Sequence, residues 1–311
     1  MTADLVVAPW SAPGATYGAA LLIGLMVITL AAIGVIGLLR RGRTLVGELL
    51  RKWLTWTVLA TVWWTAVFAG PLPVAILVTI FALVGLREFA SLTDLPRSHQ
   101  ALLSFSAILL GGLSLLGAQA MLAMIPLLLL AGMLQPLLRV DLRAGIRDLA
   151  FGALAFAYLP LLLDHAVLIE LDLPDGAALL FATGLAIAFS DIGAYIVGRT
   201  FGRHPLAPML SPKKTREGLI GNVLGAAFGY AIAAPLLPPL ALPVLISLPF
   251  IVAVGAVWGD LFESALKREF GTKDTGAWLP GFGGLLDRID SFILVVPLVY
   301  YVVLIADRFG S

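Results

Sequence analysis

The sequence predicts an all-α, polytopic transmembrane protein of about ten helices with both termini on the non-cytoplasmic side. Three observations carry this. The 311 residues are 60% hydrophobic and only 13% charged, with a mean hydropathy of +1.01; a soluble domain needs far more charge to cover its surface. The apolar residues fall in runs close to the roughly 20 residues that span a bilayer as helix. The basic residues fall in alternate gaps between those runs, as the positive-inside rule requires.

The expected spans are 17–39, 53–70, 73–91, 100–117, 120–138, 149–169, 177–198, 218–236, 243–263 and 289–306. The first is preceded by a flank, Met1 to Thr16, without Lys or Arg, and followed by Arg40, Arg41 and Arg43. A secretory signal has the opposite arrangement, so a retained helix with an outer N-terminus is expected. The second and fifth spans are the shortest-jointed, at Gly70-Pro71 and Gln119. With the N-terminus outside, the inner loops are 40–52, 92–99, 139–148, 199–217 and 264–288. With the adjoining helix ends they hold every Lys and Arg except Arg308. The outer loop 170–176 is acidic, with Glu170, Asp172 and Asp175. Two regions follow: N-terminal transmembrane helices over 1–170, and a C-terminal catalytic transmembrane region over 171–311 with cytoplasmic loops 199–217 and 264–288. Cysteine is absent, which excludes disulfides and thiolate metal sites. His99, His165 and His204 are scattered and form no metal-ligand spacing.

The chemistry concentrates in the last third. Asp260, Glu263, Ser264 and Lys267 fall at i, i+3, i+4 and i+7, one face of a helix. Two carboxylates and an ammonium there can hold a hard cation beside an anion, whereas a solvated helix end would need no carboxylate inside an apolar run. Next come Gly271-Thr272-Lys273-Asp274-Thr275-Gly276 and Leu279-Pro280-Gly281-Phe282-Gly283-Gly284. Glycine-rich turns let backbone N–H groups approach phosphate, although most such turns are only turns. The P-loop pattern does not occur. Asp287 and Asp290 then open the last apolar run, with Arg288 between them. They could serve simply as N-terminal helix charges. Four carboxylates converging at the membrane surface also suit Mg²⁺, which takes oxygen ligands and shares them with substrate phosphates. In the other inner loop, Ser211-Pro212-Lys213-Lys214-Thr215 is either a basic anchor on anionic lipid or a phosphate clamp. Asp191, deep in an apolar run, needs a partner.

The run from Gly259 to Ser291 resembles the signature of the phosphatidate cytidylyltransferases, or CDP-diacylglycerol synthases, approximately S-x-x-K-R-x4-K-D-x-G-x3-P-G-H-G-G-x-x-D-R-x-D. Ser264, Lys267, Arg268, Lys273, Asp274, Gly276, Pro280, Gly281, Gly283, Gly284, Asp287, Arg288 and Asp290 match without a gap. Asp191 to Tyr195 and Ser211 to Thr215 are similar to family segments, so the resemblance covers about 180–310. Phe282 departs from it, standing where the family has His. The resemblance implies a magnesium-dependent nucleotidyltransferase of phospholipid biosynthesis. It would make CDP-diacylglycerol and pyrophosphate from CTP and phosphatidate, in the inner membrane with its active site facing the cytoplasm. Asp260, Glu263, Asp287 and Asp290 are then the metal ligands, with room for a second cation. Lys267, Arg268 and Arg288 join Asp260, Asp287 and Asp290 in catalysis. Ser211, Lys213, Lys214, Thr215, Lys273, Asp274, Gly281, Gly283, Gly284 and Asp191 bind substrate. The resemblance implies a membrane dimer and no nucleic-acid partner. Two other readings differ in class. A cytidylyltransferase for another lipid phosphate would accommodate Phe282. A non-enzymatic carrier would use Asp191 and the glycine-broken helices.

Overall fold

A computed structural model of the chain describes residues 4–40, 43–137, 142–272, 276 and 283–309. The helices are α1 (Ala15–Arg40), α2 (Arg43–Phe68), α3 (Pro71–Thr93), α4 (Arg97–Ser114), α5 (Ala118–Leu137) and α6 (Leu142–Phe156). They continue with α7 (His165–Asp172), α8 (Gly176–Phe201), α9 (Arg216–Ile232), α10 (Leu242–Glu269) and α11 (Leu286–Phe309). Among the described residues six helices are long and apolar enough to cross a membrane: Ala15–Leu39, Pro71–Thr93, Arg143–Asp172, Gly176–Phe201, Leu242–Glu269 and Leu286–Arg308. The chain is an all-α polytopic membrane protein.

Each expected span meets helix, with three informative differences. The span 149–169 is α6 and α7 joined through a π-helical turn, Ala157–Leu161, which contains Pro160. Proline has no N–H to donate and crowds the preceding turn, and a wider turn accommodates both defects without ending the rod. Helix α10 runs to Glu269, so Ser264, Lys267 and Arg268 stand on its last turns rather than in a loop. The loop 199–217 contains an antiparallel hairpin, β1 (Pro205–Ala207) and β2 (Ser211–Thr215), pairing Pro205 with Thr215 and Ala207 with Ser211. Glu217 secures it: its carboxylate accepts from the backbone N–H of Arg203 and His204 and lies 2.6 Å from His204 Nδ1. The His204 ring and these N–H groups push the Glu217 carboxyl down to about 2.

Close packing through small residues aligns the C-terminal helices. A Cβ on Gly193 of α8 would overlap the Gly221 carbonyl oxygen of α9, and one on Gly225 would overlap that of Phe189. Without a hydrophobic drive between helices in lipid, such backbone contact supplies the association. Asn222 donates to Ser190 across the same interface, at 3.0 Å. Helices α10 and α11 meet likewise, because a Cβ on Gly259 would overlap the Asp290 carbonyl oxygen. One apolar core joins these helices to the first half of the chain, from Phe68, Val78 and Phe89 to Leu168, Phe181, Ile293 and Val299. Packing is therefore continuous across residue 170.

Candidate active site

The close approach at Gly259 puts the start of α11 beside the end of α10, and so brings three carboxylates together. Asp260, Glu263 and Asp290 each offer an oxygen within 4.8 Å of the others. Glu263 is 2% exposed and Asp290 8% exposed, while the Asp260 side chain is partly exposed. The helical face expected from the sequence forms: Ser264 Oγ donates to Asp260 Oδ1 at 3.3 Å, and Lys267 Nζ lies 2.6 Å from Glu263 Oε2. Asp290 Oδ1 accepts from the Ser291 N–H at 2.7 Å, which fixes its rotamer. Asp287 is turned to different partners. Its Oδ1 lies 2.8 Å from Lys267 Nζ, and its Oδ2 accepts from the Gly284 N–H at 3.0 Å. Gly283 has a positive φ of 83°, and a Cβ there would lie 3.1 Å from Asp287 Oδ2. Glycine thus permits both the turn and the approach to the carboxylate.

The hairpin closes one side. Lys214 Nζ lies 2.5 Å from Asp260 Oδ2. On β2, Lys214 is half-buried and turned to the cluster by its pair with Asp260, while its neighbour Lys213 is exposed. Thr215 caps α9, its Oγ1 accepting from the Gly218 N–H at 3.1 Å, and it packs where Gly198 and Gly202 leave room. Ser211 belongs to the strand pairing. Arg268 Nε reaches the Leu210 carbonyl at 3.5 Å and so bridges α10 to the hairpin turn. Asp191 on α8 lies within electrostatic range of Asp260, Lys214 and Arg288. Arg288 is exposed at the first turn of α11. Lys273, Asp274, Gly281 and Phe282 lie outside the described residues.

Sequence reasoning missed Glu88. This buried residue at the end of α3 accepts from the backbone N–H of Leu285 at 2.9 Å and of Leu286 at 2.8 Å. It thereby caps α11 from a helix almost two hundred positions away, and it also abuts Gly276. The available signal was a carboxylate inside an apolar run, the same one that drew attention to Asp260 and Asp191.

The donor set suits a divalent cation. Oxygen ligands from two helices converge, and Glu263 Oε1 is buried without a hydrogen-bond partner among the described residues. A buried carboxylate oxygen of that kind is costly unless a cation or donor meets it. Asp260, Glu263 and Asp290 are the residues that could hold the ion. Asp287, ion-paired with Lys267, stands beside them and orients that lysine.

A carboxylate cluster rimmed by lysines at the end of a membrane helix bundle can bind a metal-complexed polyphosphate next to a lipid headgroup. The chain is similar in sequence to known proteins. The chain is 37% identical to the phosphatidate cytidylyltransferase of Mycobacterium leprae over 48% of its own length and 47% of that protein. It is 42% identical to the uncharacterized protein YnbB of Escherichia coli K12 over 41% of this chain and 43% of that one. These two matches span about half the length of each relative. The phosphatidate cytidylyltransferase of Bacillus subtilis is 33% identical over 82% of this chain and 97% of its own. A model of the cytidylyltransferase family matches residues 50–306, most of the chain, and the chain belongs to that family.

Proposed function

We propose that the protein joins CTP and phosphatidate to give CDP-diacylglycerol and pyrophosphate in phospholipid biosynthesis. The reaction would take place at the cytoplasmic face of the cell membrane. The observation that carries this reading is the cluster of Asp260, Glu263 and Asp290 with Lys214 and Lys267 at ion-pair distance, in a chain of the cytidylyltransferase family. The basic inner loops support the cytoplasmic orientation. A homodimer belongs to the same reading and rests on the family resemblance alone.

The residues suit a phosphoryl-type displacement, in which positioning and charge neutralisation do most of the work. The lipid phosphate is itself a nucleophile, so no side chain need remove a proton. Its oxygen attacks the α-phosphorus of CTP, and the bond to the β-phosphate oxygen breaks as pyrophosphate leaves. Asp260, Glu263 and Asp290 would hold Mg²⁺, with room for a second cation, and the metal would supply positive charge against the phosphates and the departing pyrophosphate. Lys267, pinned by Glu263 and Asp287, presents a fixed positive charge to the same space. Lys213, Lys214, Arg268 and Arg288 supply further positive charge around it, and the Gly283-Gly284 turn brings backbone close to the site.

The test measures CDP-lipid formation from CTP and a panel of lipid phosphates, with Mg²⁺ or EDTA, for wild type and Phe282→His. Phosphatidate should be turned over only with the metal. Preference for a different lipid phosphate would favour the reading that Phe282 raises. No turnover by either protein across lipids and nucleotides would overturn the enzymatic assignment.

A further inference from the structure

The two lysines of the acidic cluster are held differently. Lys267 lies between Glu263 and Asp287, at 2.6 and 2.8 Å, on the helix that carries the cluster. Lys214 comes from strand β2, outside that helix, and meets Asp260 at 2.5 Å in a pair that is partly open on both sides. Asp260 is thereby engaged at both oxygens, Oδ1 by Ser264 and Oδ2 by Lys214. Yet Asp260 is also one of the three carboxylates whose oxygens converge within 4.8 Å. An ammonium in contact with that carboxylate repels a divalent cation bound by the same group.

We propose that Lys214 is an exchangeable counter-ion, whose ammonium competes with a divalent cation for Asp260 and passes to the phosphates of a nucleoside triphosphate when the cation binds. The inference rests on the functional reading above and assigns one lysine of the Lys213-Lys214 pair a distinct role. Its root is fixed: the next residue, Thr215, caps α9 and fills the space beside Gly198 and Gly202. The flexible four-carbon stem beyond that root lets the charge move while the backbone stays. Lys213 is exposed on the same strand, and it is Lys214 that makes the ion pair with Asp260. Linkage makes the exchange reciprocal: the cation tightens the triphosphate, and the triphosphate tightens the cation.

The experiment titrates the full-length protein in detergent with Mn²⁺ by electron paramagnetic resonance, then with CTP by calorimetry, with and without Mn²⁺. Without nucleotide, Lys214→Met should bind Mn²⁺ roughly threefold to tenfold more tightly than wild type, since the competing charge is gone. The same variant should lose most of the Mn²⁺-dependent tightening of CTP that wild type shows. Lys214→Arg keeps the charge and should resemble wild type in the first titration. Should Lys214→Met fail to fold, Lys214→Gln carries the same test. Unchanged or weaker Mn²⁺ binding in the folded, uncharged variant would overturn the proposal, as would undetectable Mn²⁺ binding in every protein. The titrations need no turnover, so they stand apart from the functional reading, which fails if wild type makes no CDP-lipid from any substrate.

Discussion

Glu263 and Glu88 are both buried acids, and they do opposite things. Glu263 keeps one oxygen without a partner among the described residues, beside Asp260 and Asp290. Glu88 uses both oxygens on the N–H groups of Leu285 and Leu286. Glu263→Gln is nearly isosteric but replaces an anionic ligand, so Mn²⁺ affinity and kcat/KM should each fall by about 100-fold, with little change in melting temperature. Loss of stability without loss of metal affinity would refute the ligand assignment. Glu88→Ala leaves two buried N–H groups unmet, at a cost of roughly 1–3 kcal/mol each. It should lower the melting temperature and turnover together, and speed hydrogen exchange at Leu285 and Leu286. The helical spacing of Asp260, Glu263, Ser264 and Lys267 made one face of the site readable from sequence. The separate partners of Asp287 and Asp290 were not readable, because i and i+3 spacing places both on one side of α11 without saying which residues of α10 each meets. Glu88 escaped notice because its partners are backbone groups far along the chain, which leave no side-chain pattern.

At the scale of elements, glycine sets how near the helices come. Gly193 and Gly221 face each other across α8 and α9 so closely that a Cβ on either meets the other's carbonyl. Gly221→Val should therefore destabilise the protein by several kcal/mol, beyond the roughly 1–3 kcal/mol of ordinary overpacking, because backbone rather than a side chain must yield. Unfolding in detergent measures it, and an unchanged midpoint would mean the two helices are not locked. Thr215→Ala removes the α9 cap and should cost about 1 kcal/mol. Its larger consequence should be a weaker hold on Lys214, seen as a raised KM for CTP. Length and hydropathy made the helices legible, although α2 begins at Arg43 and α6 at Leu142, well before the expected spans at 53 and 149. The hairpin was not, because strands of three and five residues carry too little alternation to stand out. The inner loop was expected to begin at 264, whereas α10 runs to Glu269, as the helical face from Asp260 to Lys267 already implied.

For the whole molecule, the strongest inference from sequence was an alternation of charge, and its consequence in space can be checked. The C-terminal end of α3, the C-terminal end of α10 and the N-terminal end of α11 meet through Glu88, Glu263, Lys267 and Asp287. The N-terminal end of α6 joins them, as Arg147 reaches the Thr93 carbonyl at 3.5 Å. The basic loops flanking these ends then share one end of the helix bundle, and the positive-inside rule supports the cytoplasmic orientation proposed above. The opposite end gathers different contacts. Tyr300 donates to Asp172 at 2.7 Å, Tyr17 donates to the Ile232 carbonyl, and the segment at Leu5 pairs with Leu72. The chain contains no cysteine, so a single introduced thiol is an unambiguous reporter. Met209 at the hairpin turn is 92% exposed, and Pro174 is exposed between α7 and α8. In sealed right-side-out vesicles a membrane-impermeant maleimide should label Pro174→Cys and spare Met209→Cys, and inverted vesicles should reverse the result. Labelling of Met209→Cys from outside would place the acidic cluster away from cytoplasmic CTP and overturn the orientation on which the proposed reaction depends.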